Sequence, residues 1–275
     1  MNDQPTLVIG ATGKTGSRVA DRLRKAGRSV RAGSRNGPTP FDWTKDETWG
    51  PALHGVGRAY ITYFPDIAMP GAVEQVERFS AAAQSAGVQR LVMLSGRGEH
   101  HAQRGEAVVR AAGVDFTIIR SAWFAQNFSE GELRAPILSG VLPMPGGDIR
   151  EPIIDIDDIA DVAFAALTED GHSGETYEVT GPELLTFAEM AATLSVALGR
   201  PIAYAPISFD AFRSNVEAVA GPMLADVFTT IAQETLDGRN AHCADGVERA
   251  LGRRPRSFQA FAAAAAKRGV WREAA

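Results

Sequence analysis

The feature that most constrains this 275-residue chain is a glycine-rich turn close to its start. Thr6–Ile9 is a short apolar and β-branched run, which predicts a buried strand. Gly10, Gly13 and Gly16 follow at intervals of three, and residues 17–26 then show helical periodicity. Glycines allow a tight turn and a close approach to a pyrophosphate, and a helix N-terminus attracts negative charge. Strand, turn and helix in this order therefore predict a dinucleotide-binding loop.

Strands and helices continue to alternate as far as Arg120, which predicts a parallel sheet with helices on both faces. After the first strand, further strands are predicted at Arg28–Ser34, Phe41–Trp43, Arg58–Phe64, Arg90–Ser95 and Val114–Arg120. We therefore predict an α/β fold, a Rossmann doubly wound parallel sheet with a small C-terminal substrate-binding lobe. The NAD(P)-binding Rossmann domain is placed at residues 1–150. The smaller lobe, at residues 151–275, is expected to pack on it without folding independently.

Composition narrows the class of protein. The net charge of −5 gives no electrostatic footprint for nucleic acid, and we expect no nucleic-acid partner. The basic group Arg253–Arg256 is interpreted as solvated surface. A single cysteine excludes an internal disulfide framework and fits a reducing compartment. No apolar run reaches the roughly 18 residues of a membrane span, and the first residues do not resemble a signal peptide. We expect a cytoplasmic monomer or homodimer that does not bind membranes and acts on a small-molecule substrate.

The end of the second predicted strand indicates which dinucleotide is bound. In a Rossmann fold this position meets the adenosine ribose, where an acid favours NAD. Here the chain has Ser34 and Arg35, and a guanidinium matches a 2′-phosphate in charge and geometry. With Lys14 as a second positive charge, these residues predict NADP(H); the alternative is that Arg35 stays in solvent. The remaining candidate cofactor contacts are Gly10, Thr12, Gly13, Thr15 and Gly16 in the turn, and Thr62, Tyr63 and Phe64 at the carboxyl end of the fourth predicted strand.

Two segments carry a resemblance to a known family. The turn GATGKTG has the spacing Gly-x-x-Gly-x-x-Gly, and residues 120–128 give an arginine, an aromatic pair and an asparagine. Together they resemble the NmrA-like branch of the extended and atypical short-chain dehydrogenase/reductases, and the resemblance spans Thr6 to about Trp271. That branch includes NADPH-dependent quinone reductases, ergot-alkaloid iminium reductases and redox sensors that bind the cofactor without turning it over.

The resemblance also implies roles for individual residues. Ser95 occupies the place of the superfamily's catalytic serine, beside the cofactor. Trp123, Phe124 and Asn127 correspond to the segment that lines the nicotinamide and substrate pocket; the alternative for this segment is plain core packing. Phe64 is at the carboxyl end of the fourth predicted strand, where doubly wound sheets bind ligands, and Arg97 is in a loop able to bend over a substrate, so we add both as candidate substrate contacts.

The superfamily's usual acid, a tyrosine four residues before a lysine, is missing. None of the 4 tyrosines has a lysine at that distance, so carbonyl reduction by the usual machinery is disfavoured. Three hypotheses remain. In the first, the substrate needs little proton delivery, as for an iminium ion or a quinone. In the second, His100 or His101, in a loop after the fifth strand, donates the proton. In the third, the protein is a non-catalytic NADP(H) sensor. Our leading prediction is an NADPH-dependent reductase of a small flat or cationic substrate (a quinone, an enone or a cyclic imine or iminium ion), with the sensor as the alternative.

The other polar motifs predict structure rather than chemistry. The histidines have no metal-ligand spacing, and we predict no metal site. Asp157 or Asp158 is expected to cap a helix, and Thr186–Glu189 to open another with a capping box. The segment 141–147, VLPMPGG, predicts a turn-rich loop able to close over a ligand.

Overall fold

The computed structural model describes residues 4–272 and contains two parallel sheets. The strands are β1 (Thr6–Ile9), β2 (Val30–Ser34), β3 (Thr39–Pro40), β4 (Arg58–Ile61), β5 (Arg90–Gly96), β6 (Asp115–Ser121), β7 (Val141–Met144), β8 (Thr176–Val179) and β9 (Ala203–Pro206). Seven of them form the central sheet in the order β3-β2-β1-β4-β5-β6-β8, and β7 pairs with β9. The first six positions of the central sheet follow the Rossmann order, which confirms the predicted fold class.

Helices cover both faces of the central sheet and also form much of the C-terminal half. They are α1 (Lys14–Lys25), α2 (Trp49–Leu53), α3 (Ala72–Ser85), α4 (His100–Ala111), α5 (Asn127–Glu130), α6 (Arg134–Leu138), α7 (Ile156–Thr168), α8 (Phe187–Leu198), α9 (Phe209–Ala220), α10 (Pro222–Thr235), α11 (Gly246–Leu251) and α12 (Phe258–Lys267). One face of the sheet packs on α3 and α4, and the other packs on α1 and α7. Within the described residues, none of these helices has both the length and the apolar character needed to cross a membrane.

A third apolar core lies in the C-terminal half. It joins Phe128 of α5 to Phe187 of α8 and to Phe258 of α12, all nearly inaccessible to solvent. The division of the chain into two domains at residue 150 stays a prediction. The first residues of one predicted domain, 1–3, and the last residues of the other, 273–275, lie outside the described residues. The central sheet itself crosses that division, because β8 pairs with β6.

Three local predictions of strands, loops and caps are wrong. The third strand was expected at Phe41–Trp43, but β3 is Thr39–Pro40 and residues 41–43 lie outside it. The expected ligand-closing loop contains β7, whose residues pair with β9 in parallel register, so this backbone is held in a small sheet. The cap of α7 is Asp155, which accepts a hydrogen bond of 2.9 Å from the backbone of Asp157. Asp157 and Asp158 lie in the first turn of that helix instead. The capping box of Thr186 and Glu189 is confirmed.

Candidate active site

The glycine turn fits the close approach of a dinucleotide. Gly10 has a φ of +67°, and a Cβ built on it would lie 2.8 Å from Cγ2 of Thr62. A Cβ on Gly16 would overlap the carbonyl of Gly10, so the absence of a side chain lets α1 pack directly against the turn. Gly13 is the N-cap of α1 and provides no side-chain cap, and the first turn contains no acid. The backbone N–H groups at this helix start are therefore suited to a pyrophosphate.

At the end of β2, Arg35 lies over an aromatic ring. The guanidinium carbon of Arg35 is 4.7 Å from the ring centre of Phe64, which follows β4 at the same edge of the sheet. The Phe64 ring is 61% exposed, which is unusual for a large apolar side chain. This pair places one positive charge and one open aromatic face beside the predicted ribose position.

Tyr63 is oriented differently from its neighbour Phe64. Its ring stacks on Trp43 at a centroid distance of 5.0 Å, and its hydroxyl donates to Oε1 of Gln75 over 2.5 Å. The indole of Trp43 donates to the carbonyl of Thr62 at 3.1 Å. Tyr63 is therefore part of the packing beneath the site, and Phe64 is the ring that faces solvent.

Lys14 connects the glycine turn to the segment after β6. Its ammonium donates to Oδ1 of Asn127 at 2.9 Å, across 113 residues of sequence. Burial lowers the pKa of this ammonium, an effect that the nearby Glu130 and Glu132 oppose. One turn further along α1, Arg18 forms an ion pair of 2.6 Å with Glu130. A predicted cofactor residue and a predicted substrate residue therefore meet at one point.

The aromatic residues after β6 lie between the central sheet and the C-terminal half. The indole of Trp123 donates to Oγ1 of Thr235 at 3.0 Å, which fixes the ring against the end of α10. Phe124 forms an isolated parallel bridge with Ile154, which holds the segment after β6 against the segment before α7. Both side chains are only partly buried, as expected for the wall of a pocket.

Ser95 directs its hydroxyl into the protein. Oγ of Ser95 donates to Oε1 of Glu106 at 2.7 Å, and both residues are buried. The same carboxylate accepts from Arg120 at 2.9 and 2.5 Å and from Arg110 at 3.3 Å. Burial opposes ionisation of Glu106, but the bonds from Arg120 and Ser95 outweigh it and hold the pKa of the carboxyl below its usual value. The hydroxyl of Ser95 is thus committed to a buried ion pair.

Arg97 also has partners inside the protein. Nε pairs with Glu178, and the two terminal nitrogens donate to the carbonyls of Asn240 at 2.7 Å and of His242 at 2.9 Å. The side chain is almost inaccessible to solvent. Every guanidinium nitrogen is engaged, so this geometry does not support Arg97 as a substrate contact. It ties the end of β5 to the segment after α10.

The loop after β5 is shorter than predicted and does not contain the two histidines. His100 and His101 are the first two residues of α4, which begins three residues before the predicted start at Gln103. The first turn buries only Ala102, so it lacks the apolar periodicity that would have revealed it. Both imidazoles are exposed, and the backbone N–H of His100 donates to Glu234 at 3.3 Å.

No tyrosine hydroxyl among the described residues is available as the missing acid. Tyr60 is wholly buried, and burial raises its pKa. The hydroxyl of Tyr63 is bonded to Gln75, that of Tyr177 to a ring nitrogen of His172 at 2.8 Å, and that of Tyr204 to the carbonyl of Met144 at 3.1 Å. Nor do three His, Cys, Asp or Glu side chains converge as a metal site in residues 4–272.

Comparison of the sequence with known proteins assigns the chain to a family. The chain is 31% identical over 280 residues to the NAD(P)H azoreductase of Xenophilus azovorans, covering 94% of this chain and 96% of the relative. It is 32% identical over 285 residues to festuclavine dehydrogenase easG of Aspergillus fumigatus, covering 93% and 96%. The chain belongs to the NmrA-like atypical short-chain dehydrogenase/reductases. A scan against models of protein families gave no match.

A solved structure agrees with the fold of this NmrA-like protein. The NADPH-dependent quinone oxidoreductase QOR2 of Escherichia coli, complexed with NADPH, superposes with a TM-score of 0.80 at 21% identity. The match covers 94% of this chain and 99% of the other. The named relatives above, each more than 30% identical, make the NmrA-like chain an NAD(P)H-dependent oxidoreductase.

Sequence reasoning missed two acids of the NmrA-like protein whose carboxylate oxygens are enclosed without partners. Glu99 precedes α4, and Oε2 of its carboxylate is buried without a hydrogen-bond partner. Glu151 precedes α7, and both of its carboxylate oxygens are in the same condition. Burial raises the pKa of Glu151 to about 7, although the charge of Arg97 opposes the shift. No spacing in the sequence marks either acid, because what distinguishes them is the lack of partners in three dimensions.

Proposed function

We propose that this oxidoreductase uses NADPH to reduce small, flat or cationic organic molecules: quinones, enones, azo compounds, and cyclic imines or iminium ions. The observation that carries the proposal is the bond between Lys14 and Asn127, which brings the aromatic segment after β6 to the glycine turn. Trp123 and Phe124 then provide an apolar wall for a flat ligand. The relatives' names, an azoreductase and a festuclavine dehydrogenase, support this range.

The division of labour follows from the residues. Gly10, Gly13 and the start of α1 would hold the pyrophosphate of the dinucleotide, and Arg35 with Ser34 would hold the 2′-phosphate. Bound NADPH supplies a hydride equivalent. Trp123 and Phe124 orient the acceptor and keep water away from one of its faces. Orientation of this kind supplies much of the rate when the acceptor needs no elaborate acid catalysis.

The preference for NADPH is tested by removing the guanidinium. Arg35→Ala is expected to weaken NADPH binding at least about tenfold and leave NADH binding nearly unchanged, since NADH has no 2′-phosphate. The measurement is quenching of tryptophan fluorescence during separate titrations with the two dinucleotides. Arg28→Ala, an exposed arginine at the other end of β2, is the matched control. Equal losses for both dinucleotides would contradict the assignment to Arg35.

Turnover is tested by offering acceptors to the protein loaded with NADPH. Oxidation of NADPH, followed by its loss of absorbance, is expected with a quinone, an azo dye and a cyclic iminium salt. A protein that binds NADPH and NADP with different affinities, but oxidises no NADPH with any of the acceptors, would be a redox sensor. That outcome would reject the reductase proposal.

A further inference from the structure

The carboxylate of Glu99 lies at the carboxyl edge of the sheet, in space that a side chain at residue 96 would fill. Gly96 is the last residue of β5, and Glu99 is the N-cap of α4. A Cβ built on Gly96 would overlap the carboxylate of Glu99, including both oxygens. The acid therefore rests directly on the backbone at the end of β5. In doubly wound folds, this edge is where ligands bind.

The carboxylate of Glu99 has neither a hydrogen-bond donor nor a counter-ion within bonding distance among the described residues. Its Oε2 is buried and unpartnered, and no ion pair to it is formed. Native structures seldom leave a buried polar atom in this state unless it serves a purpose. The residue as a whole is only partly buried, so this unpaired carboxyl at a ligand-binding edge is a group available to a substrate.

The charges that face Glu99 favour its protonated form. Asp66 approaches from the loop after β4 and Glu234 from α10, and both are acids. Burial, together with these two charges, raises the pKa of Glu99 well above its usual value. The cations nearby serve other groups, since His101 faces Asp66 and Arg239 donates to the carbonyl of Gly98 and pairs with Asp237. His100 contributes its backbone N–H to Glu234.

We propose that Glu99 is the proton donor for acceptors that must gain a proton together with a hydride, such as azo compounds. Reduction of an N=N bond to a hydrazo group takes one hydride and one proton. The hydride, supplied by the dihydronicotinamide, forms a bond to one nitrogen. The O–H bond of Glu99 breaks and its proton goes to the other nitrogen, leaving a carboxylate that water reprotonates. This inference rests on the proposed function and names the acid that its site uses.

Other candidates for the donor are less well placed. The hydroxyl of Ser95 is bonded to Glu106, the four tyrosines are buried or bonded elsewhere, and the imidazoles of His100 and His101 are exposed on the outside of α4. Glu99 combines a free carboxyl oxygen with a place beside the end of β5.

The test compares two acceptors that differ in whether reduction requires a proton. A cationic triarylmethane dye such as malachite green becomes neutral on accepting a hydride alone, whereas an azo dye such as methyl red also needs a proton. Glu99→Gln is expected to slow methyl red reduction at least about 100-fold and to change malachite green reduction by no more than about twofold. In the wild-type protein, methyl red reduction should fall as pH rises through the pKa of Glu99, while malachite green reduction should not follow that titration.

Two further variants guard against misfolding. Gly96→Ala keeps the acid but displaces its carboxylate, and it should show the same selective loss. Glu77→Gln, on the exposed face of α3, makes the same carboxyl-to-amide change away from the site and should reduce both dyes at wild-type rates. An independent readout is infrared difference spectroscopy of the NADPH complex, recorded at a pH where the wild-type protein reduces methyl red. The wild-type spectrum should contain one protonated-carboxyl band that the spectrum of Glu99→Gln lacks.

The outcomes separate the inference from the proposed function. If the wild-type protein reduces both dyes and Glu99→Gln retains the methyl red rate, or if the carboxyl band is unchanged in that variant, Glu99 is not the donor. If the wild-type protein binds NADPH and reduces neither dye nor any other acceptor, the proposed function itself fails and takes the inference with it.

Discussion

At Gly10 a single backbone angle and a single close approach decide whether the glycine turn forms. The φ of +67° belongs to the left-handed region, where a side chain is strained. The neighbouring Thr62 methyl group leaves no room for a Cβ either. Residue 10 therefore serves two needs at once, the direction of the chain after β1 and the packing of β1 against the end of β4.

Gly10→Ala is expected to weaken NADPH binding at least about tenfold, because relieving the clash with Thr62 shifts the turn that cradles the pyrophosphate. Gly27→Ala is the matched control. Gly27 has a φ of +70°, but a Cβ there would meet no atom within 4 Å. Both variants should lose roughly 1 kcal/mol of unfolding free energy from the strained backbone. Fluorescence titration should find weaker NADPH binding in Gly10→Ala alone; equal affinities in the two variants would contradict this view of the turn.

Among the elements, α7 shows how a buried acid can be stabilised by distant sequence. Asp158 in its first turn is completely buried, and it pairs with Arg253 at 2.7 Å and with Arg256. The basic group Arg253–Arg256 was expected on the solvated surface. Arg253 and Arg256 instead pair with the buried Asp158 of α7, so that interpretation is wrong. These ion pairs hold the segment after α11 against α7, which packs on the central sheet.

Substitutions of two neighbouring acids in α7 test how much these ion pairs stabilise the fold. Asp158→Ala is expected to lower the unfolding free energy by about 3 kcal/mol, since it removes the partner of two arginines from a buried site. Asp157→Ala removes a half-exposed acid that pairs with Arg22, and the loss should stay within about 1 kcal/mol. Urea denaturation measures both. A larger loss for Asp157→Ala would mean that α7 is not held through Asp158.

At the scale of the whole molecule, the stability depends on pH through acids that are buried without partners. The pKa of Glu151 is about 7 in the folded protein and near 4.5 when the chain is unfolded. Between these values the folded state holds a proton that the unfolded state has released. Stability therefore falls as pH rises from about 4.5 to 7, and the loss is complete above the folded pKa.

Glu151→Gln is expected to flatten this dependence, because the amide has no charge to bury. The difference in unfolding free energy between wild type and variant should change by on the order of 3 kcal/mol across the window from pH 4.5 to 7. Urea denaturation at a series of pH values measures it. Asp148→Asn, an exposed acid nearby, should keep the wild-type slope. An unchanged slope in Glu151→Gln would show that this carboxyl is ionised throughout.

How much of the molecule the sequence predicts depends on the range of the interactions involved. The glycine turn, the alternation of strands and helices, and the capping box of Thr186 are local patterns, and they were predicted correctly. The start of α4 was misplaced because its first turn buries a single alanine. The roles of Arg97 and Glu99 could not be predicted, since they depend on a segment 143 residues away in one case and on an overlap with Gly96 in the other.

The position of β8 also bears on how the chain folds as it is made. Residues 122–175 separate β6 from β8, although the two strands are neighbours in the sheet. At the usual rate of synthesis, about 5–20 residues per second, the edge of β6 stays unpaired for several seconds after β6 has emerged. An open strand edge is a template for pairing with other chains. The same insertion that brings Trp123 and Asn127 to the site therefore creates an interval in which the nascent chain is vulnerable to aggregation.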